Sequence, residues 1–412
     1  MGDILHALPA VTALRMAHPD WVIDWVVEPR WRALLAAEQA IGKPGETPEK
    51  HTSGAKAPAF FAPFNARAEA LAYQPINAQP QPLQPLVDHL HFAATKEWRK
   101  APFSRQTFRE FRALRAALRG GEYDAVIDLQ GAIRSALLAR MAGCGRVIGE
   151  AEPRERAAHW LFTERVATRG MHVIEQDMEL VSAIAGDALK PVQPWLPVDP
   201  AAEAWADTIL PIDPEGKSCM IKTHPSDNNK GVARVGHPEF VGKSNHGIQP
   251  AVLINPGAGW GAKRWPAERY AAVAQGLVER GCRVLVNAGP GEEPLAELIA
   301  SQTGGAATPL ACSLAQLIAL TRRLALAIAG DTGPLHLACA LGRPVVGIYG
   351  PTDPARNGPF GTQFKVLRSP LSRRDHTRYQ TPEAGLLTIQ PEDVLRAAWA
   401  LLYPETAPET SL

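Results

Sequence analysis

The residues best suited to chemistry lie in one short polar turn between two apolar segments of the chain. The turn carries a carboxylate, a hydroxyl, a glycine and an imidazole, on Asp331, Thr332, Gly333 and His336. In open α/β sheets, ligands bind at the carboxyl ends of strands, where a following helix presents free backbone N–H groups. The turn is therefore predicted to bind an anionic ligand. The alternative is that Asp331 or Thr332 only caps the helix.

The elements that must position this turn are a strand, a helix and a second parallel strand. The apolar run LALAIAG (324–330) precedes the turn, and the β-branched run PVVGIYG (344–350) follows a helical segment, which together make one βαβ unit. Further strand-like runs at 251–255 and 282–289 alternate with helical patterns. Residues 250–390 are therefore predicted to form a doubly wound, mostly parallel sheet.

The N-terminal half repeats this alternation less regularly. A helical pattern over 5–16 precedes the strand-like run 21–27, and a second helix precedes the run 123–131. Residues 1–200 are predicted to form another Rossmann-like domain. The predicted fold class is α/β, with two doubly wound domains and a cleft between them.

Three segments fall outside the two predicted domains. Residues 40–88 are rich in Pro, Ala and Gln, and the linker 201–249 contains a polar stretch over 212–249. Both are predicted to be loops or disordered insertions. The C-terminal segment 391–412 contains a helical pattern, at 391–403, that could cross back onto the first domain.

The first residues are unusual for such a domain. Gly2 and Asp3 resemble the turn between a first strand and its helix, but no strand precedes them. Because that strand is usually central in a doubly wound sheet, we expect either that the chain begins late or that the first domain lacks a strand. Asp3 and His6 would lie across the cleft from the polar turn. Asp3 could act as a general base, or it could cap its helix.

A glycine-rich turn ends the first strand of the C-terminal domain. Three glycines in NPGAGWGAKRWP (255–266) permit close backbone approach and Lys263 supplies a cation, which together suit a diphosphate. The segment lacks the dinucleotide fingerprint, since Ala262 occupies the last glycine position, and Arg264 excludes a Walker loop. The alternative is that Lys263 is only a surface residue.

Two more segments could contact a ligand. Glu292 or Glu293 could bind ribose hydroxyls, or both could merely complement a helix dipole. The basic segment 96–121 could bind phosphates or carboxylates, or it could be a solvated helix face over a packed apolar stripe. Its candidate anion contacts are Arg99, Lys100 and Arg105. The predicted stripe comprises Phe108, Phe111, Leu114 and Leu118.

Composition limits the classes of partner. The 412 residues include 43 basic and 42 acidic ones, so no global field favours nucleic acid or a membrane. No apolar stretch reaches the roughly 20 residues of a membrane span, and no signal peptide is predicted, because the first residues lack a basic segment. The five cysteines lack close spacing, which indicates reduced thiols in a cytosolic protein. The chain has no D-x-D motif or metal-ligand spacing, so no metal or other cofactor is expected.

Four stretches together resemble one family. MGDILHALPA, AKRWP, DTGPLHLACALGRPVVGIYGPTDP and the KEWRKAPFS…FRE…YDAVIDLQG stretch are similar to the bacterial lipopolysaccharide heptosyltransferases, glycosyltransferase family nine. The similarity covers nearly the whole chain outside the two insertions, and the W-R-K and R-E segments favour type I over types II and III. It implies a GT-B fold, with the acceptor on the N-terminal domain and the nucleotide sugar on the C-terminal one.

The resemblance also implies a reaction and its residues. The reaction is inverting, metal-independent transfer of L-glycero-D-manno-heptose from ADP-heptose to the Kdo of Kdo2-lipid A, by a cytoplasmic enzyme peripheral on the inner membrane. Asp3 would match the general base, Cys312 would lie near the adenine, and backbone amides at Ala258 and Gly259 would hold phosphate. The remaining donor contacts would be Lys263, Glu292 or Glu293, Asp331, Thr332, Gly333 and His336. Candidate acceptor contacts are His6, Arg99, Lys100, Arg105 and Arg154.

Two other functions remain open. One is a transferase of the same family with a different acceptor, such as a heptose already in place. The other is a catalytically impaired member that binds the nucleotide sugar without transferring it. A dehydrogenase is disfavoured because the glycine fingerprint is missing.

Overall fold

The computed structural model describes four ranges of the chain: 1–37, 85–211, 249–374 and 379–404. Most of both predicted insertions, 40–88 and 212–249, lies outside the described residues. Within the described ranges, no helix is long and apolar enough to cross a membrane. The four cysteines described there are free thiols.

Two small parallel sheets form the N-terminal half. Their strands are β1 (Asp24–Val27), β2 (His89–Phe92), β3 (Val126–Asp128), β4 (Val147–Glu150) and β5 (Glu164–Val166). Strand β1 pairs with β2, and β3, β4 and β5 pair in that order. Among the described residues no strand joins the two sheets, so the predicted single sheet is split. The helices of this half are α1 (Gly2–Ala17), α2 (Thr95–Lys100), α3 (Arg105–Gly120), α4 (Ile133–Met141) and α5 (Val173–Ala185).

One six-stranded parallel sheet forms the C-terminal half, which confirms the α/β prediction there. Its strands are β6 (Ala251–Asn255), β7 (Arg283–Asn287), β8 (Thr308–Leu310), β9 (Leu326–Gly330), β10 (Val345–Tyr349) and β11 (Phe364–Arg368). The spatial order is β11, β10, β9, β6, β7, β8. The chain therefore builds outward from β6 through β7 to β8, then returns to the other side of β6 with β9. The direction of winding reverses between β6 and β9, which is where open α/β sheets form their ligand crevice.

Helices cover both faces of this sheet. They are α6 (Pro200–Ile209), α7 (Ala267–Glu279), α8 (Glu293–Gln302), α9 (Leu314–Thr321), α10 (Gly333–Ala340), α11 (Pro354–Asn357) and α12 (Pro391–Leu402). Short 3-10 helices span Pro29–Leu34, Arg156–Leu161, Gly261–Lys263 and Leu386–Thr388. All residues of β6, β9 and β10 are buried. Parallel strands covered on both faces need such continuous apolar runs, which is why the sequence predicts them.

Helix α1 connects the two halves. Its side chains are buried from Leu5 to Arg15, so it lacks a solvent-facing stripe. Leu8 lies in one core cluster with Leu335 of the C-terminal half, and on the opposite side Ala10 packs in a cluster with Val181 of α5. The N-terminal end of α1 is thereby fixed against the C-terminal sheet.

Two elements lie elsewhere than predicted. Helix α12 does not cross back onto the first domain, because its Val394 and Ala398 pack with Ile254 and Ile348 in the core of the C-terminal sheet. Helix α6, which lies in the predicted linker, docks on the C-terminal half through Glu203. That carboxylate accepts hydrogen bonds from two arginines at the end of α9, Arg322 and Arg323.

Candidate active site

Two polar turns meet at the switch point of the C-terminal sheet. Lys263 follows β6 and Asp331 follows β9, the two strands between which the winding reverses. Lys263 Nζ donates to Asp331 Oδ2 at 2.5 Å and to the Asp331 carbonyl oxygen at 3.3 Å. The side chains are 11% and 8% exposed, so Lys263 is not a free surface residue. The pair places a cation at the carboxyl edge of the sheet, beside the start of α10.

Asp331 is held as an anion. His336 Nε2 donates to Asp331 Oδ1 at 3.0 Å, on the side opposite Lys263. Burial alone would raise the pKa of Asp331, but the hydrogen bond from His336 and the nearby charges of His336 and Lys263 lower it well below its ordinary value. Both carboxylate oxygens are therefore used inside the protein, and they fix Lys263 and His336 in place.

Neither Asp331 nor Thr332 caps helix α10, so the capping alternative is wrong. Thr332 is the N-cap residue, but its side chain makes no capping bond and its hydroxyl donates instead to the carbonyl oxygen of Gly330 at 3.3 Å. The first N–H groups of a helix have no partner within the helix. The side chain of Met1 packs beside the Cα of Gly333, since a Cβ on Gly333 would be 2.5 Å from the Met1 sulfur atom.

His6 contacts the polar turn through His336 and is not exposed for an acceptor, which corrects its assignment. It is buried on α1, and its Nε2 shares a hydrogen bond of 3.2 Å with His336 Nδ1. Burial first, and then the charges of His336 and His172, lower the pKa of His6 well below its ordinary value. A neutral imidazole from the N-terminal half thus contacts the side chain that holds Asp331.

His172, which the sequence does not single out, completes this cluster. Its ring packs edge-on to His6 with centroids 5.8 Å apart. Its Nδ1 accepts the N–H of Ile174, and its Nε2 donates to the carbonyl oxygen of Gly358 at 3.0 Å. These two bonds fix the neutral tautomer. No local spacing in the sequence could connect positions so distant in the chain.

Asp3 lies in the first turn of α1 and is exposed. It does not cap α1, and its side chain is 55% exposed. Gln130 Nε2, in the loop after β3, donates to Asp3 Oδ2 at 2.7 Å, and Arg154 lies 3.8 Å away from the same oxygen. Gln130 is oriented in turn by Asp128, which accepts its backbone N–H at 2.9 Å. An oriented, solvent-facing carboxylate is suited to accept a proton.

The other basic candidates lie on the exposed helices α2 and α3. Arg99, Lys100 and Arg105 form no ion pair within the described residues, and no contact joins them to Asp3. The predicted apolar stripe of α3 is only half correct. Leu114 and Leu118 are buried, whereas Phe108 and Phe111 are exposed. This helix therefore presents aromatic and cationic side chains together on its outer surface.

The structure distinguishes Glu292 from Glu293. A Cβ on Gly257 would lie 1.8 Å from Glu292 Oε2, so the Glu292 carboxylate is packed against the glycine-rich turn. It also accepts the backbone N–H of Gly289 at 3.3 Å. Glu293 is fully exposed in the first turn of α8, and hydrogen bonds from backbone N–H groups lower its pKa. Glu292 is thus the one directed at the site, and Glu293 fits the helix-dipole alternative.

Cys312 lies at the far end of the same sheet edge, after β8. Its Sγ donates to Asn287 Oδ1 at 3.4 Å, and burial raises the pKa of its thiol to about 11. The thiol therefore stays neutral and acts as a small packing group with one weak hydrogen bond. Ala258 is buried in the turn after β6, and Gly259 beside it is exposed.

Comparison with known proteins identifies the family of the chain. Residues 111–386 match the family glycosyltransferase family 9 (heptosyltransferase). The chain is 26% identical over 380 residues to lipopolysaccharide heptosyltransferase 1 of Escherichia coli K12, covering 90% of this chain and 91% of that protein. It is 31% identical over 169 residues to lipopolysaccharide heptosyltransferase 2 of the same strain, covering 39% and 49%. The solved structure of E. coli heptosyltransferase WaaC with ADP superposes with a TM-score of 0.61 at 25% identity, covering 90% and 91%.

The fold and the crevice define an α/β protein of the GT-B type, built on parallel sheets and matching the solved heptosyltransferase structure. The matched region spans most of the chain. The chain belongs to glycosyltransferase family 9 (heptosyltransferase), and it is a glycosyltransferase.

Proposed function

We propose that this protein transfers L-glycero-D-manno-heptose from ADP-heptose to the Kdo of Kdo2-lipid A in lipopolysaccharide inner-core synthesis. The observation that carries the proposal is the buried Lys263–Asp331 pair at the switch point, with the exposed Asp3 on the helix that packs against it. The similarity to lipopolysaccharide heptosyltransferase 1 over 90% of the chain supports the acceptor.

The donor would bind across the carboxyl edge of the C-terminal sheet. Lys263 and the free N–H groups at the start of α10 suit a diphosphate, which combines high negative charge with several acceptor oxygens. Glu292, packed over the glycine-rich turn, would accept hydrogen bonds from ribose hydroxyls. Cys312 would contact the adenine through its neutral side chain.

The exposed Asp3 would then act on the acceptor. Its carboxylate accepts the proton of the attacking Kdo hydroxyl while that oxygen forms a bond to the anomeric carbon of heptose. The bond from this carbon to the diphosphate oxygen breaks on the opposite face, so the configuration inverts and ADP leaves with the bonding electrons. Charge spreads over an oxocarbenium-like sugar of the kind found in glycoside hydrolysis. Lys263 and the amides at α10 stabilise the growing charge on the diphosphate.

The reaction is proposed to need no metal ion. Lys263 and oriented backbone amides can supply the positive charge that the leaving diphosphate requires. Purified protein should therefore transfer heptose from ADP-heptose to Kdo2-lipid A equally well with and without EDTA, as measured by mass spectrometry of the lipid product. Loss of turnover in EDTA that added metal restores would contradict this part of the proposal.

The same assay distinguishes the alternatives. If the protein transfers heptose only to an acceptor that already carries heptose, that acceptor and not Kdo2-lipid A is its substrate. Binding of ADP-heptose without transfer to either acceptor would identify a protein that binds the nucleotide sugar without catalysis. A matched assay with UDP-glucose controls for donor identity, and no product is expected with it.

We further propose that α2 and α3 draw the protein to the cytoplasmic face of the inner membrane. Their exposed arginines and lysine are adjacent to Phe103 and Phe108, which are 100% and 63% exposed. Cations attract anionic headgroups, and aromatic rings insert at the interface between headgroup and acyl chain.

Vesicle binding tests this surface. Replacing Arg99, Lys100 and Arg105 together with serine should reduce co-sedimentation with anionic vesicles by at least tenfold, because each cation near such a surface contributes about 1 kcal/mol. Binding of the parent protein should weaken as salt is raised. Arg396→Ser, at an exposed position on α12, is the control. Equal binding by the triple variant and the parent protein would exclude this surface.

A further inference from the structure

Two consecutive peptide carbonyls of the glycine-rich turn are held by side chains. Asn255, the last residue of β6, donates from Nδ2 to the carbonyl oxygen of Gly257 at 3.4 Å. Arg264 donates from Nε and Nη2 to the carbonyl oxygen of Ala258, with both distances 3.4 Å. The carbonyls of this turn therefore face the protein.

The amide groups that follow these carbonyls face the other way. In a trans peptide the C=O and N–H bonds point to opposite sides, and the described chain has no cis peptide. The N–H groups of Ala258 and Gly259 are thus directed away from Asn255 and Arg264. Neither makes a hydrogen bond within the described residues, and the space beside the Gly259 Cα is open. Successive free amides in a turn form a concavity suited to an anion.

Asn255 is itself oriented by a hydrogen-bonded chain across the strand ends. Asn287, the last residue of β7, donates from Nδ2 to Asn255 Oδ1 at 2.7 Å, and Cys312 donates to Asn287 Oδ1. Because the Asn255 oxygen is engaged by Asn287, its nitrogen must face Gly257. Asn255 and Asn287 are each 5% exposed, so Asn255 is too buried to touch a ligand directly. Its effect on a ligand must pass through the turn.

We propose that Asn255 and Arg264 are positioning residues that fix the amides of Ala258 and Gly259 for the diphosphate of the donor. This inference rests on the donor site proposed above. It assigns the phosphate contacts to backbone amides whose peptides are fixed by the side chains of Asn255 and Arg264. Without Asn255 the Gly257 peptide is free to rotate, and its amide is no longer preset for the phosphate. The proposed ribose and base contacts are side chains of other elements, Glu292 at the start of α8 and Cys312 after β8, so losing the donor of Asn255 should affect them less than the amides of the turn.

Binding of ADP compared with adenosine tests the proposal on the full-length protein. Asn255→Ala should lower the affinity for ADP about tenfold, which is the effect of losing one or two well-placed hydrogen bonds. The affinity for adenosine should stay within about twofold of the parent value. Asn255→Asp is the second variant, because it keeps an acceptor for Asn287 but removes the donor to Gly257. Arg264→Lys keeps the charge and removes the two-nitrogen contact with the Ala258 carbonyl. It should also weaken the binding of ADP more than the binding of adenosine. Calorimetry measures ADP and NMR titration measures adenosine.

Thr303→Val is the matched control for a purely structural effect. Thr303 is a buried hydroxyl at the far end of α8 that accepts the N–H of Ala307. Its variant should lower thermal stability without changing the ratio of the two affinities. Equal weakening of ADP and adenosine by the Asn255 variants, or no weakening of ADP, would overturn the positioning role. If the parent protein bound no ADP at all, the donor site itself would be wrong, and this inference with it.

Discussion

Replacing Asp3 with alanine should lower kcat by about 10²–10⁴-fold, the usual contribution of a general base. ADP-heptose affinity should stay within about twofold, because Asp3 makes its contacts with Gln130 and Arg154 and none with the polar turn at Asp331. The side chain is exposed, so its loss should leave the melting temperature nearly unchanged. Turnover with Kdo2-lipid A, ADP-heptose binding and thermal melting of the same preparation provide the three measurements.

A second substitution separates the proton-accepting role from charge alone. Asp3→Asn keeps the shape of the side chain and its contact with Gln130 but cannot accept the proton, so it should be as inactive as Asp3→Ala. Asp20→Ala, which removes an exposed carboxylate just after α1, should behave like the parent protein. Unchanged turnover in Asp3→Ala would exclude Asp3 as the base.

Replacing Lys263 with methionine should both destabilise the protein and disable it. Asp331 would remain buried without its cation, and breaking a buried ion pair from one side typically costs about 3–5 kcal/mol of folding free energy. The pKa of Asp331 should rise, since one of the charges that lowers it is gone. Loss of a group that stabilises leaving-group charge should also lower kcat by about 10²–10³-fold. Denaturant unfolding and steady-state kinetics measure the two effects.

The double variant Lys263→Met with Asp331→Asn separates these effects. Removing both charges leaves no unpaired anion, so stability should largely return while activity stays lost. Lys263→Arg keeps the charge and should retain more activity than Lys263→Met. Full activity in the double variant would show that Lys263 acts only on Asp331 and does not contact the diphosphate.

The strands that carry the candidate site can be predicted from sequence because they are buried on both faces. The predicted run at 251–255 has the same bounds as β6. The predicted runs that contain β9 and β10 extend only one or two residues beyond the ends of those strands. The sequence does not predict β2, whose four residues HLHF include two histidines and of which none is fully buried. A short strand with such a pattern carries little periodic information. The same limit applies to β4, β5 and β8, which have three or four residues each.

The sequence alone predicted the family, which the comparison confirms, and the two turns proposed to form the site. The order of turn, helix and strand around Asp331 and the glycines before Lys263 are local patterns, and local patterns are visible in a linear chain. The tertiary structure decided which of these groups meet. It brought Lys263 to Asp331 across 68 residues and His6 to His336 across 330. It also packed Glu292 against the glycine-rich turn and left Glu293 exposed.

The physical reason is that contacts between distant residues depend on strand order and helix packing, which are set by burial of the whole core. Asn255 illustrates this point. In the sequence it is only the residue that ends an apolar run, and nothing local indicates a role. Once β7 pairs beside β6, Asn287 fixes its amide and turns it towards Gly257. Parallel pairing therefore decides which buried polar groups hold the turn.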